Sequence, residues 1–285
     1  MTVTVEVLRS CEQLTGLVNE IKKANQSIGV VPTMGALHEG HLSLVRESVA
    51  NSDKTIVTIF LNPTQFAADE DLDKYPGNLE SDLKLLESLG VEYVFAPSNS
   101  QMYPAGCSTQ IVPPAVAKKL EGEFRPTHFT GVATVVLKLL NLTQADKAFF
   151  GQKDFQQAMV VKQMVADLNV PTEICVCPII RDSDGLALSS RNVYLSKEER
   201  AIALSLSKTL DFVEEQIKSG LRDGFEIITE MRQMLIDAGV ESIDYSIVAN
   251  PETLETCDPI ELPVVALIAA YVGKTRLIDN RVITD

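Results

Sequence analysis

What this 285-residue chain lacks narrows the field before any motif does. It contains no tryptophan, which is not diagnostic, and only three histidines. No apolar run is long enough to span a bilayer, and no basic, apolar leader opens the chain, so a soluble, cytoplasmic protein without a membrane partner is expected. The five cysteines (Cys11, Cys107, Cys175, Cys177 and Cys257) are odd in number and scattered, which argues against a disulfide framework. All five read as reduced structural thiols, and Cys175 and Cys177, on one apolar stretch, are expected to face apart and not to act as a pair. Basic residues are also short: 25 Lys and Arg stand against 39 Asp and Glu, a net charge of -14. That excludes a general nucleic-acid binder, which needs basic surface to displace counterions. An anionic ligand would require Lys, Arg, His and Mg²⁺ to reverse the field locally. There is no internal repeat and no low-complexity run.

What is present fits a globular enzyme. The chain is 45% hydrophobic and 22% charged, and its length exceeds the usual single domain. Its organising stretch is Val30-Val31-Pro32-Thr33-Met34-Gly35-Ala36-Leu37-His38-Glu39-Gly40-His41. An apolar run meets Pro and Gly and passes into residues 42–49, where apolar positions recur at helical spacing, so it reads as strand, turn, helix. Two histidines three apart, with a glycine between them, then stand on the first turn of a helix. Unpaired N–H groups and the dipole favour a phosphate there, and Gly40 would let it approach the backbone. Zinc is the rival reading, but four ligands are not in view. A bare helix start is the bland one.

In chain order, residues 3–7 read as a strand and 11–25 as a helix, followed by the motif strand and helix. Residues 54–61 are β-branched and apolar, as an interior parallel strand should be. Asn62-Pro63-Thr64-Gln65-Phe66 ends that strand, where ligands bind in open parallel sheets. The acidic stretch 67–78 reads as a loop, its run 69–73 as solvated. A helix at 79–89 and a strand at 92–97 precede an irregular segment, 98–125, that could form a flap. An apolar helix is placed at 132–141, a strand at 146–150, a helix from 151 to about 168 and a strand at 173–177. This alternation predicts an α/β, Rossmann-like doubly wound parallel sheet over residues 1–180. Beyond it, two amphipathic helices (196–220 and 223–238) and three strands (241–249, 263–272 and 275–282) predict a smaller C-terminal α+β domain, 181–285. The loop Ile180 to Asn192 between them carries Arg191 and two hydroxyls, a plausible anion clamp.

Five blocks carry a resemblance: Pro32 to His41, Asn62 to Phe66, Arg125-Pro126-Thr127-His128-Phe129-Thr130-Gly131, Phe149-Phe150-Gly151-Gln152-Lys153-Asp154, and Leu188-Ser189-Ser190-Arg191-Asn192. In this order they resemble the signature blocks of the pantothenate synthetase (pantoate–beta-alanine ligase) family. His38-Glu39-Gly40-His41 is similar to the His-x-Gly-His signature of the wider nucleotidylyltransferase superfamily. The resemblance implies ATP-dependent condensation of (R)-pantoate with beta-alanine through a pantoyl adenylate, with Mg²⁺ accompanying ATP, in a cytoplasmic homodimer. It implies that His38, His41, Lys153, Ser189, Ser190 and Arg191 handle the phosphates and carry catalysis. Met34, Gly151, Asp154, Ile180 and Leu188 would complete the ATP site, with the C-terminal domain closing over it. Pro32, Met34, Gln65, Phe66 and Gln157 would bind pantoate, and Asp82 matches an acidic position tied to the Mg²⁺ region. Leu188 stands where many members carry Met, leaving a backbone N–H and C=O to read adenine. Without the family, Lys153-Asp154 would be an exposed helix-start pair, Met34 a core residue and His128 a hydrogen-bonded structural histidine. Two further readings stay in view. One is a nucleotidylyltransferase acting on a phosphate acceptor, which should need another basic cluster; the other is a nucleotide-binding module without chemistry.

Overall fold

The structure, a computed structural model, describes residues 4–66, 72, 75 and 77–284. The acidic run read at 69–73 lies, apart from Leu72, outside the described residues. The chain divides into two compact units. The first comprises residues 1–151 and 156–178; the second comprises 152–155 and 179–285.

The first unit is built on a six-stranded parallel sheet: β1 (Glu6–Leu8), β2 (Ile28–Thr33), β3 (Lys54–Ile59), β4 (Tyr93–Phe95), β5 (Lys147–Gly151) and β6 (Glu173–Cys177), in spatial order β1-β4-β3-β2-β5-β6. Helices α1 (Cys11–Lys23), α2 (Glu39–Asn51), α3 (Leu79–Ser88), α6 (His128–Thr143) and α7 (Phe155–Asp167) flank it, with one-turn helices α4 (Asn99–Met102) and α5 (Glu121–Phe124) in the segment read as irregular. Alternating strand residues feed two cores. Ile28, Val30, Ile56, Phe95, Ala148 and Phe150 pack with α1, α6 and α7 residues such as Leu14, Val136 and Met164. Val31, Val57, Val94 and Phe149 pack with Leu42, Val45 and Leu86 of α2 and α3. Coverage on both faces explains why these strands read as continuous apolar runs. Local signals set several helix starts: Ser10 accepts the Gln13 N–H in a capping box before α1, and Asn78 accepts the Ser81 N–H before α3.

Several boundaries moved; the helix expected from 151 begins at Phe155, after β5 has run through Gly151 and a 3₁₀ turn has taken Gln152–Asp154, and the strand expected at 54–61 ends at Ile59. The first strand is Glu6–Leu8 rather than 3–7, and α6 begins at His128, four residues before the apolar run. Gly131 sits inside that helix because a Cβ there would lie 2.4 Å from the Thr64 carbonyl oxygen, so the helix backbone rests directly on the Asn62–Gln65 turn. Cys175 and Cys177 correct another expectation. Two positions apart on a strand, they share a face: both pack against the second core while Ile174 packs against the first. All five cysteines are unpaired, and burial pushes the Cys177 thiol up to about 11.

The second unit lays α8 (Lys197–Lys218) and α9 (Gly224–Asp237) on an antiparallel sheet, β7 (Ser242–Ala249), β8 (Val264–Val272) and β9 (Thr275–Ile283), in the order β7-β8-β9. Val264, Ala266, Ile268, Ala270 and Val272 of β8 meet Leu206, Leu210 and Val213 of α8 and Ile227, Met231 and Leu235 of α9. Among the described residues, no helix is long and apolar enough to cross a membrane.

Candidate active site

Strand β2 lies between β3 and β5, where the strand order reverses and an open parallel sheet offers a crevice at its carboxyl ends. Pro32 is its penultimate residue. Thr33 Oγ1 donates to the Thr58 carbonyl (2.8 Å) and accepts the Gly35 N–H (3.2 Å), and the chain then turns through Gly35 (φ +85) and Ala36 (φ +52). A positive φ at alanine is costly and must be held from outside. Asp82 of α3 does so: its two carboxylate oxygens accept the N–H groups of Ala36 (3.0 Å) and Leu37 (2.8 Å), and it is 3% exposed. Burial raises the Asp82 pKa above its ordinary value, against the lowering effect of those two amides.

His38 is the N-cap of α2, its Nδ1 accepting the Gly40 N–H at 3.2 Å, while His41 Nδ1 accepts the His38 N–H at 3.4 Å. The two imidazoles thus form a reciprocal capping box, with ring centroids 4.2 Å apart. An Nδ1 that accepts carries no proton, so each neutral ring keeps its proton on Nε2, as a donor. This modifies the phosphate reading. The Gly40 amide is already engaged, so the ring N–H groups rather than that amide are the donors suited to a phosphate.

The Asn62–Gln65 turn follows β3. Gln65 is 9% exposed; its Oε1 accepts from Asn62 Nδ2 (3.0 Å), and its Nε2 points at Met34 Sδ (3.2 Å). The structure therefore brings two expected pantoate residues into contact. Three residues that sequence reasoning left without a task hold the turn. Asn62, 1% exposed, accepts from Tyr103 OH (2.9 Å) and Thr64, and donates to the Gly131 carbonyl. His128 Nδ1 lies 3.0 Å from the Gln65 carbonyl oxygen and its Nε2 3.2 Å from Arg125 Nη1. A carbonyl only accepts and a guanidinium only donates, so His128 is the neutral tautomer protonated on Nδ1. Phe66, next along, sets its ring edge-on to Tyr75. At the end of β5, a Cβ built on Gly151 would meet nothing within 4 Å. On α7, Gln157 is half-buried, whereas its neighbour Gln156 is 4% exposed and spent internally on Glu121 N, Val116 O and Lys119 O.

The remaining expected residues belong to the second unit. Lys153, half-buried, and Asp154, exposed, stand on the 3₁₀ turn Gln152–Asp154. Ile180 and Leu188 face each other across a small hairpin: Leu188 N–H donates to Ile180 O (2.9 Å), Arg181 bridges to Ala187, and Asp182 to Gly185 make the bend. The Leu188 N–H is consequently spent on the hairpin, which counts against that N–H as the group that reads adenine. Ser189 caps the next 3₁₀ turn, Ser190–Tyr194, its Oγ accepting the Arg191 N–H at 3.3 Å. Arg200 holds Asp182 (2.6 Å) and Asp184 (2.8 Å), and its hydrogen bond keeps the Asp184 carboxyl below its ordinary value. Among the described residues no group of three His, Cys, Asp or Glu side chains could hold a metal ion.

Known proteins resemble this chain in sequence and fold. The family described as Pantoate-beta-alanine ligase matches residues 6–282. The chain is 47% identical to the pantothenate synthetase of Caldicellulosiruptor bescii, covering 97% of this chain and 98% of that one, and 48% identical to that of Acetivibrio thermocellus, covering 98% and 99%. Among solved structures, pantothenate synthetase from Thermus thermophilus superposes with a TM-score of 0.93 at 37% identity, covering 99% of this chain and 100% of that one. Pantoate-beta-alanine ligase from Francisella tularensis, solved with beta-gamma ATP and beta-alanine, gives 0.82 at 37%, covering 98% and 97%. Motif order, sheet topology and near-complete coverage agree: the chain belongs to the pantoate–beta-alanine ligase family.

Proposed function

We propose that this chain condenses (R)-pantoate with beta-alanine at the expense of ATP. A pantoate carboxylate oxygen bonds to the α-phosphorus as pyrophosphate leaves; the beta-alanine amine then bonds to the acyl carbon, sheds a proton, and AMP departs. The observation that carries this reading is the buried, neutral Gln65 beside Met34. A nucleotidylyltransferase acting on a phosphate acceptor would want cations there, whereas an amide N–H parked on a weak thioether acceptor suits a hydroxyl or carboxylate oxygen that would replace sulfur with a stronger partner. Membership of the family supports the same choice.

In this reading Gln65 and Gln157 hold pantoate's polar groups, while Pro32, Met34 and Phe66 pack on its dimethyl carbon. His38 and His41 offer Nε2–H donors to the phosphates, where charge develops during adenylation. Lys153, Ser189, Ser190 and Arg191 neutralise and orient the triphosphate; Asp154 takes the ribose side, Gly151 leaves room, and Ile180 and Leu188 line the adenine. Mg²⁺ on Asp82 fits poorly, because both Asp82 oxygens already hold the Ala36 and Leu37 amides. Mg²⁺ is better read as the counter-ion of the ATP phosphates, a common arrangement for this cation. A cytoplasmic homodimer belongs to the same proposal, and a monomer in sedimentation at micromolar concentration would contradict it.

The deciding experiment is pyrophosphate release from Mg-ATP on adding pantoate, with and without beta-alanine. Release limited to one equivalent per site, turning catalytic with AMP formation once beta-alanine is present, is expected. Absence of pantoate-dependent release would sink the assignment.

A further inference from the structure

Two adjacent residues of β9, Asp279 and Asn280, are 3% and 1% exposed, and they break the alternation of buried and half-buried positions that runs from Thr275 to Asp279. Neighbours on a strand point to opposite faces, so the two side chains leave β9 in opposite directions. Each ends on a different loop of the same unit.

Asn280 meets the turn that carries Lys153. Its Nδ2 donates to the carbonyls of Gln152 (2.9 Å) and Lys153 (3.1 Å), and its Oδ1 accepts from Gln152 Nε2 (3.1 Å). Every polar atom of a buried amide is thereby engaged on one three-residue turn, 127 residues away along the chain. Asp279 meets Arg181, whose Nη1 and Nη2 reach its two oxygens at 2.6 and 2.9 Å. The same guanidinium donates to the Gly185 carbonyl (3.1 Å), pinning the hairpin that leads into Ser189, Ser190 and Arg191. The Asn280 N–H donates to Asp279 Oδ1 at 2.8 Å, so the two anchors are themselves joined.

We infer that the Asp279-Asn280 pair is the positioning bracket of the phosphate-handling residues, fixing the backbone of Lys153 through one side chain and the stem of the Ser189–Arg191 loop through the other. The inference rests on the reading that Lys153 acts on ATP. Neither bracket residue is catalytic. A lysine on a four-carbon stem gains precision only from a fixed backbone. Burying one amide and one carboxylate, each fully hydrogen-bonded, gives both loops a common rigid reference instead of leaving each to its own flexible connection.

Asn280→Asp tests this with little change in shape. The carboxylate keeps an acceptor for Gln152 but turns a second oxygen toward two carbonyls, so the turn must shift. A displacement near one ångström costs about a hundredfold in rate. We expect pantoate-dependent pyrophosphate release to fall roughly 10- to 100-fold in turnover, with the KM for pantoate unchanged. Gln152→Ala removes only one of the three bonds and should cost a few-fold, which keeps the inference testable if Asn280→Asp folds poorly. The decisive readout is the double variant: a residue that acts only through Lys153 adds no further loss to Lys153→Ala. Turnover within about twofold of the parent in Asn280→Asp and Gln152→Ala, or fully multiplicative losses in the double variant, would overturn the bracket. If Lys153→Ala alone retains parental activity, it is the role given to Lys153 that fails instead.

Discussion

In the parallel-sheet unit the turn bearing Gln65 hangs on neutral groups: the Asn62 amide, the Tyr103 hydroxyl and the His128 ring. In the antiparallel unit the hairpin leading to Ser189, Ser190 and Arg191 hangs on carboxylate–guanidinium pairs, Arg181 with Asp279 and Arg200 with Asp182 and Asp184. The difference matches the ligand each half is proposed to meet. A diol and a carboxylate are read by dipoles, and a charged scaffold there would compete for the substrate's own charge. A triphosphate needs cations in a chain of net charge -14, so carboxylates close to the loop must be consumed by partners. Arg181 and Arg200 consume three of them.

The largest effect should come from breaking the charged scaffold. Asp279 is nearly sealed from solvent, at 3% side-chain exposure, so Arg181→Met leaves a buried carboxylate without its cation, with the Asn280 N–H still on one oxygen. The expected loss is about 3–5 kcal/mol of stability, the usual result of removing one partner of a buried pair. Guanidinium denaturation measures it, and a loss under about 1 kcal/mol would mean the hairpin is held by something other than charge. On the other side, His41→Ala should slow adenylation by about 10²- to 10³-fold, as deletion of a transition-state donor does. Its capping bond is long at 3.4 Å, so the fold should survive. Near-parental pyrophosphate release would strip His41 of that role.

How far these scaffolds could be read from the sequence follows the distance between partners. The sheet, its flanking helices and the second unit's two helices and three strands were legible because each announces itself over adjacent residues: β-branched runs such as 54–61, and apolar positions at helical spacing such as 42–49. His38 and His41 were legible for the same reason. Asn62 was visible but silent, since its partners Tyr103 and Gly131 lie 41 and 69 residues away. Asn280 gave no signal at all; no periodicity links it to Gln152, 128 residues earlier. The start of α6 was missed because Thr127 makes no capping bond and Gly131 looks like a breaker, when a close backbone approach is what requires it.

That glycine offers a cleaner cut at the neutral scaffold. Gly131→Ala places a methyl 2.4 Å from the Thr64 carbonyl oxygen and 2.6 Å from the Gln65 nitrogen, so α6 and the turn must separate. Overpacking of this kind costs about 1–3 kcal/mol. The KM for pantoate should rise while the KM for ATP stays within about twofold, because only pantoate's side of the site is displaced. Equal rises in both would erase the division of labour between the units.

The smallest effect concerns a place in the first unit where charge supports the central strand. Asp146 accepts the Ile28 N–H (2.7 Å) and Lys22 Nζ (2.7 Å) at the start of β2, about 17 Å of strand away from Thr33 and the candidate site. Burial opposes its charged form, yet those two hydrogen bonds outweigh burial and hold its carboxyl below the ordinary value of 3.8. A carboxyl depressed in the folded state stabilises fully above that pH, and the contribution drains away as acid protonates it. Asp146→Asn keeps an acceptor for Ile28 but loses the charge, and both side chains of the pair are partly exposed, so screening limits the cost to about 1 kcal/mol at pH 7. Urea unfolding at pH 7 and again near pH 3 should show the gap between parent and variant closing in acid, with pantoate and ATP kinetics unchanged at neutral pH. A gap that persists at low pH would mean the carboxylate's charge is not what stabilises this edge; a kinetic change would mean that the amino ends of these strands and the site at their carboxyl ends are mechanically coupled, and the separation of charged support from neutral recognition in this unit would fall.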